Sequence, residues 1–390
     1  MSLSLRMLHP HLHPTQVAAV WRALEHSAQP LYFLTWGWIV TWLACLPRVD
    51  VPELAVVFDN GEPIAAGFLG QRRLRRHHIL PSRARYLNAT GVVHHDELCA
   101  EHNAVLCAPG RRLRAAELVG LVPDDWDELF LPAAARSAFP DLAGEGSVVA
   151  GCRVRIDREV ASPFIDLAQV RGSPGGYLGL LGSNTRAQIR RARRAIGPLE
   201  LEAARDPREA RAMFDELITL HTRTWNARGE GGAFADPWFR RFHEQLIDTR
   251  FAHGEIELLR LRSGATTVGC LYNLVANGRV LFYQSGLATF DDKHVKPGYL
   301  CHAAAIERAA AAGHAIYDLL GGDARYKRCL ATGEDQLAWF RLQRPRTRFL
   351  IEDWVRTQKR AMTRDAELVA VSDDAPAMAA ESRDARRPLR

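Results

Sequence analysis

Two distant stretches of this chain carry the same pattern. Leu54 to Gly70 reads LAVVFDNGEPIAAGFLG, and Leu258 to Asn273 reads LLRLRSGATTVGCLYN. Each is an apolar run, a glycine-containing turn and a second apolar run, which is how a β-hairpin reads in sequence. A polar step ending in glycine follows both hairpins, YLNATG at 86–91 and FYQSG at 282–286. A repeated order of elements implies a tandem of one structural unit. A length of 390 residues suits two such units better than one core.

The remaining elements fall around these hairpins. Helices are expected near Pro14 to His26 and Trp36 to Leu46, and a shorter one around Arg111 to Leu121. DELFLPA reads as a strand, and SVVAGCRVRIDREV closes the first half. In the second half, DPREARAMFDELITLHTRTWNARG places Ala210, Met213, Phe214, Leu217 and Leu220 at helical spacing. PWFRRFHEQLIDTRFAHG is a second helix. Three antiparallel strands follow, with turns at Ser263-Gly264 and Asn277-Gly278. A helix, YLCHAAAIERAAAAG, and a parallel strand, AIYDLLGG, come next, and QLAWFRLQRP makes a last strand. This order defines a mixed α/β fold. The expected organisation is a first domain over 1–160, a second over 161–345, a helix over 346–370 and a disordered tail over 371–390. The first fifteen residues, with HPHLHP, read as loose.

Bulk properties exclude several classes. Hydrophobic residues make up 47% and charged residues 25%, a soluble globular mix. Seven scattered cysteines without a C-x-x-C fit neither a zinc site nor a disulfide framework, so no metal is expected and a reducing cytoplasm is the expected location. The uncharged run from Pro30 to Pro47 is too short to span a bilayer and reads as a buried helix. The formal net charge is +6, and Ser183 to Arg194 alone contributes five arginines with no acid. Positive charge is therefore local, which points to an anionic partner at one place and away from general DNA binding. Only Lys293, Lys296, Lys327 and Lys359 are lysines, in an Arg- and Ala-rich composition typical of a GC-rich bacterial genome.

Three segments bear chemistry. In GSNTRAQIRRARR, Thr185-x-x-Gln188 makes a capping box, and Gly197-Pro198 ends the helix. Ile189, Ala192 and Ile196 share an inward face, while Arg186, Arg190, Arg193 and Arg194 share another. Guanidiniums offer planar forks to phosphate oxygens; a solvated basic face is the other reading. In FYQSGLATFDDKHVKPGYLCHAAAIERA, Pro297-Gly298 opens a helix behind Lys293 and Lys296. Free N–H groups at a helix start form an anion seat, and an ordinary loop is the alternative. In IYDLLGGDARYKRCL, a strand ends in Gly321-Gly322 beside Asp323, Arg325, Tyr326 and Lys327. A carboxylate, a phenol and an ammonium within five residues supply a base, an acid and an anion contact; a salt-bridged polar turn is the other reading.

Together these segments resemble the BioF2-like, FemAB-like branch of the GNAT acyltransferases. The resemblance rests on YLGLLGSNTRAQIRRARR, on the Pro-Gly helix start KPGYLCHAAAIERA, and on YDLLGGDARYK, which is similar to that branch's Tyr-Asp-x-x-x-Gly-Asp-x-x-Tyr-Lys. It covers Phe164 to Arg341. It implies tandem GNAT-like domains, each a mixed, mainly antiparallel sheet flanked by helices. Members include CelD-type acetyltransferases of cellulose or exopolysaccharide biosynthesis. The implied donor is acetyl-CoA or another acyl-CoA, with backbone N–H groups of a splayed strand polarising the thioester. Only Gly298 of the usual Arg/Gln-x-x-Gly-x-Gly/Ala loop is in place.

The resulting expectation is acyl transfer to an amine or hydroxyl, on a small molecule, a glycan or a lipid-linked acceptor. Tyr283, Gln284, Lys296 and Gly298 are the candidates for the donor. Asp323 orients or deprotonates the acceptor, Tyr326 protonates the leaving thiolate, and Lys327 holds a phosphate or carboxylate. Arg190, Arg191 and Trp225 are the candidates for the acceptor. Two alternatives keep the fold: an aminoacyl-tRNA donor, against which the lack of a long helical arm weighs, and a catalytically degenerate binding module.

Overall fold

Asn-Gly turns shape both hairpin systems. Asn60 and Gly61 adopt φ of 52° and 87°, and Asn277 and Gly278 adopt 48° and 75°. Left-handed pairs of this kind match the natural twist of paired strands. The computed structural model describes residues 3–76 and 80–352. Met1–Arg344 form one unit, and Pro345–Arg390 another.

The strands of the first half are β1 (Leu3–Leu8), β2 (Glu53–Asp59), β3 (Glu62–Arg76), β4 (Leu80–Leu87), β5 (Glu128–Ala135) and β6 (Cys152–Asp166). Those of the second are β7 (Glu200–Ala203), β8 (Ile256–Ser263), β9 (Thr266–Ala276), β10 (Arg279–Leu287), β11 (Ile316–Asp318) and β12 (Gly333–Gln343). They form one sheet in the order β1-β2-β3-β4-β5-β12-β6-β11-β10-β9-β8-β7. Two-residue strands at Leu106–Cys107 and Val148–Val149 attach to β3 and β6. The order is symmetric about its centre, with each strand of the first half matched by the strand six numbers later. Pairing is antiparallel except at β4/β5 and β10/β11, which are symmetry equivalents. The fold is therefore mixed α/β, a tandem of two halves with the same strand order. Their closing strands are exchanged: β12 pairs with β5, β6 pairs with β11, and β6 and β12 pair with each other. The expected boundary at 160/161 falls inside β6.

Helices cover both faces. Those of the first half are α1 (Pro14–Ala28), α2 (Trp36–Cys45), α3 (Val93–Asp96) and α4 (Ala115–Leu121). The second half has α5 (Leu167–Gly172), α6 (Gly176–Leu180), α7 (Ser183–Ile196), α8 (Pro207–Asn226), α9 (Pro237–Arg250), α10 (Pro297–Ala311) and α11 (Arg325–Leu330). Helices α8 and α9 begin alike. Asp206 and Asp236 accept backbone N–H bonds as N-caps, and a proline follows each. Alternate strand residues feed opposite cores, as the two-residue period of a strand requires. Val56, Leu258 and Cys270 join a core shared by α1, α2, α8 and α9, built on Trp21, Trp38, Phe214 and Phe242. Their neighbours Leu259 and Leu271 face a second core under α5, α6, α7 and α10, while Val57 joins a third with Leu118 of α4.

Three expectations need correction. Leu3–Leu8 is not loose but forms β1, paired along its length with β2; its LSLRML alternation is the signal that the His/Pro-rich residues after it obscured. Thr185 does not cap α7, because the helix starts two residues earlier with Gly182 as N-cap, leaving Thr185 buried inside. The uncharged run after Pro30 is not one helix throughout: Tyr32–Leu34 makes a separate turn before α2. Most of the expected helix over 346–370, and the tail over 371–390, lie outside the described residues.

The two halves are tied at one carboxylate. Asp318, at the end of β11, is fully buried. Its Oδ2 lies 3.0 Å from His102 Nε2 and accepts from Arg279 Nε at 2.9 Å. Its Oδ1 accepts from Ser162 Oγ at 3.3 Å and from the Leu320 N–H at 2.8 Å. Burial would push Asp318 up, but the His102 bond and the Arg279 charge outweigh it and hold the carboxyl below its ordinary range. Removing one partner of a buried pair leaves the others uncompensated. Asp318→Ala should therefore destabilise the protein by about 3–5 kcal/mol in urea unfolding; a change below about 1 kcal/mol would show that the cluster holds nothing together.

Candidate functional site

Strand β10 loses its parallel partner partway along. It pairs with β11 only from Arg279 to Leu281, against Ile316 to Asp318. Beyond Leu281 the two strands part, and the unpaired edge from Phe282 to Ser285 borders a cavity of about 710 Å³. Helix α8 closes one side with His221, Thr224 and Trp225, and α11 closes another with Tyr326 and Lys327. Gly286 lets α8 approach: a Cβ there would stand 2.2 Å from the Leu217 carbonyl oxygen.

The start of α10 forms the third wall. Lys296 is the N-cap, Pro297 takes the first turn, and no acidic residue follows within it. The N–H groups of Gly298 and Tyr299 precede the first intrahelical bond, which Leu300 donates to Lys296. Such a terminus carries partial positive charge and free donors. The lining adds three cations, Arg228, Lys296 and Lys327, and no carboxylate. The cavity is built for an anion with an apolar portion.

Seven of the ten residues singled out by sequence line this cavity: Trp225, Tyr283, Gln284, Lys296, Gly298, Tyr326 and Lys327. Tyr283 is largely consumed by packing. Its hydroxyl donates to the Leu98 carbonyl and lies 3.1 Å from His243 Nε2. Asp323 is not brought in. The chain turns outward at Gly322, whose φ is 139°, and the Asp323 side chain is 92% exposed and paired with Arg328 at 2.7 Å. Arg190 and Arg191 are exposed on α7, which packs inward through Ile189 and Ala192. Neither borders the cavity. Their neighbour Arg193 pairs with Glu307 of α10 at 3.2 Å.

Burial sets the protonation states inside. The Tyr326 phenol is pushed up to about 12 by desolvation, so it keeps its proton at neutral pH. His302 stacks on Tyr326 with ring centroids 5.7 Å apart. Desolvation, helped by Lys327, drops His302 to about 3, and desolvation alone drops His221 to about 4. Both imidazoles are neutral. Lys327 is lowered by burial, against the opposing pull of Glu101 and Asp318. Its Nζ donates to the carbonyls of Leu320 at 3.1 Å and Gly321 at 2.8 Å, which fixes the turn after β11. Sequence reasoning missed His221 and His302. Each is a polar residue inside an otherwise apolar helical stripe, and that isolation was the available signal.

Residues 183–328 match the sequence profile described as the acetyltransferase (GNAT) domain. The match opens at the first residue of α7 and closes within α11, so it contains the whole cavity wall. This segment of the chain is similar to a GNAT-type acetyltransferase domain. No curated protein matches the sequence. Among solved structures, a conserved protein of unknown function from Bacteroides thetaiotaomicron is similar at 12% identity and a TM-score of 0.49, covering 84% of this chain and 96% of that one. A tandem GNAT protein from the clavulanic acid biosynthesis pathway is similar at 15% identity and a TM-score of 0.44, covering 88% and 98%. FemX is similar at 10% identity and a TM-score of 0.46, covering 76% and 90%. Among the described residues, no group of His, Cys, Asp and Glu could hold a metal ion, and no helix is long and apolar enough to cross a membrane.

The buried imidazoles make stability pH-dependent. His221, His302 and His243, the last also at about 3 through burial, are all held below the ordinary histidine value of about 6.5. Below that value the unfolded chain binds protons that the folded chain refuses, so stability falls as pH falls. The melting temperature should be level from pH 8 to 7 and should drop between pH 6.5 and 4. His302→Gln should make the drop shallower; an unchanged slope would remove His302 from the effect.

Proposed function

We propose that the protein transfers an acyl group from an acyl-CoA thioester to an amine or hydroxyl, with the donor in the 710 Å³ cavity. The observation that carries this reading is the parted β10 edge facing the free N-terminus of α10 across a lining with cations and no carboxylate. A coenzyme A thioester has matching parts, a pyrophosphate and an extended amide-bearing arm. Lys296 and the N–H groups of Gly298 and Tyr299 would take the pyrophosphate. The arm would run along Gln284 and Ser285, whose strand edge offers N–H groups to the thioester carbonyl.

The acceptor nitrogen or oxygen attacks the carbonyl carbon, the C–S bond breaks, the thiolate takes the Tyr326 proton, and the proton released by the acceptor restores the phenol. Lys327 supplies positive charge beside the developing oxyanion. Asp323 has no part in this scheme, and Arg190 and Arg191 lie too far out on α7 to line the donor cavity. The acceptor class follows the resemblance: a glycan or lipid-linked precursor of polysaccharide or cell-envelope synthesis.

Thermal unfolding with CoA, acetyl-CoA, longer acyl-CoAs and bulk tRNA tests the donor. A true donor at about 100 times its dissociation constant adds roughly 2.7 kcal/mol of stability. Stabilisation by tRNA alone, abolished by moderate salt, would replace the CoA reading with an aminoacyl-tRNA donor. Lys296→Ala should raise the donor KM about tenfold with kcat little changed, a loss of about 1.4 kcal/mol of uniform binding. Tyr326→Phe should lower kcat about 10²-fold, as loss of a general acid does. Asp323→Asn should leave both constants as they are. Equal effects of the Tyr326 and Asp323 substitutions would overturn the proton-donor assignment.

A further inference from the structure

The symmetry of the sheet gives the first half a cavity at the equivalent place. It has a volume of about 390 Å³ and opens beyond the end of β4, where Asn88 and Ala89 line it. The turn after α1 and helix α2 wall it, as the segment after α8 walls the first cavity. The two cavities differ in charge. The long helix α10, with its free N–H groups, is replaced by the four-residue α3. Here the donors are already satisfied by the protein's own anion. Asp96 Oδ1 accepts from the Thr90 N–H at 2.8 Å and its hydroxyl at 2.9 Å, and Oδ2 accepts from the Gly91 N–H at 2.7 Å. A phosphate would find its seat filled and would meet a carboxylate.

What remains suits a cation. Phe33, Trp38 and Trp42 give the cavity aromatic lining, and Glu101 and Gly321 line it as well. Trp339 at the rim already takes a cation on its face, with the Arg158 guanidinium 4.8 Å from the ring centroid. Indole faces and a carboxylate together form the recognition chemistry of organic ammonium ions. We propose that this second cavity is a binding site for an organic ammonium, its charge against Glu101 and its carbon skeleton against Trp38 and Trp42.

The site touches the donor cavity at Tyr283, whose hydroxyl donates to the Leu98 carbonyl, and at Gly321. The Gly321 N–H donates to Glu101 Oε2, and the Gly321 carbonyl accepts from Lys327 Nζ. An ammonium at Glu101 therefore acts on the turn that carries Lys327. The occupant is either the acceptor itself or an effector of the donor site. The acceptor arm, though not the binding, rests on the acyl-CoA reading above.

Isothermal titration with 2-phenylethylamine, putrescine and choline, beside neutral 2-phenylethanol and anionic 3-phenylpropionate, tests the proposal. At least one cation should bind, about tenfold or more tighter than the neutral and anionic probes. Glu101→Gln keeps the acceptor for the Gly321 N–H and should weaken that cation about tenfold, with CoA binding unchanged as the check on folding. Ala100→Phe, which fills the cavity without touching Glu101, should abolish cation binding. Thiol release from acetyl-CoA with the bound amine separates the arms: an acylated amine identifies the acceptor, and an altered CoA affinity without consumption identifies an effector. Equal affinity for charged and neutral probes, no response to Glu101→Gln, or no cation binding by a protein that binds CoA would each overturn the proposal. Failure to bind CoA with cation binding intact would instead remove the donor reading alone.

Discussion

Asp318 has no exposed surface, yet four groups from four parts of the chain reach its carboxylate. His102 comes from the loop after α3, Ser162 from β6, Arg279 from β10, and the Leu320 N–H from the turn that follows. Arg279 also reaches Asp335 in β12 at 2.7 Å. A buried carboxylate is tolerated only when its lone pairs are filled. Filling them here requires both halves, the exchanged strands and the turn after β11 to be in place together. Stability and site geometry therefore share one set of bonds.

Strand exchange explains the rest of the architecture. Because β6 and β12 cross between the halves and pair with each other, the sheet runs unbroken from β1 to β7. The helix pairs α1–α2 and α8–α9 then share one core, where Trp38 packs on Phe242 with ring centroids 4.9 Å apart. Two copies of one fold so joined have two parted-strand openings. They diverge by a small chemical change. At α10 the helix start is free and basic, and at the first-half opening Asp96 occupies the amides. One plan thus yields one opening lined by Arg228, Lys296 and Lys327 without a carboxylate, and another lined by Asp96 and Glu101.

Much of the site was legible before the fold. Lys296 and Gly298 announce a helix start, and Tyr326 and Lys327 follow a glycine-terminated strand; both segments line the cavity. Asp323 misled because linear proximity to Tyr326 says nothing about which way a side chain leaves a turn. The left-handed Leu320 and the φ of Gly322 direct it to solvent. Arg190 and Arg191 lie exposed on α7 outside the cavity, and charge density marks a surface without saying what it faces. Glu101 and His102 gave no sequence signal, since their partners Gly321 and Asp318 lie more than two hundred residues away along the chain.

Sequence alone determined what local physics controls. Periodicity, Asn-Gly turns, Asp-Pro helix starts and the repeated hairpin specify the elements and their order, because each depends on neighbours a few residues apart. Tertiary structure alone decided that the closing strands cross over, that α1, α2, α8 and α9 share one core, and which polar residues meet. Those outcomes depend on pairing of edges and desolvation of charges between segments that share no local signal. The physical reason is that a strand's apolar faces are written in its own sequence, while the partner for its hydrogen-bonding edge is chosen only when the whole sheet forms.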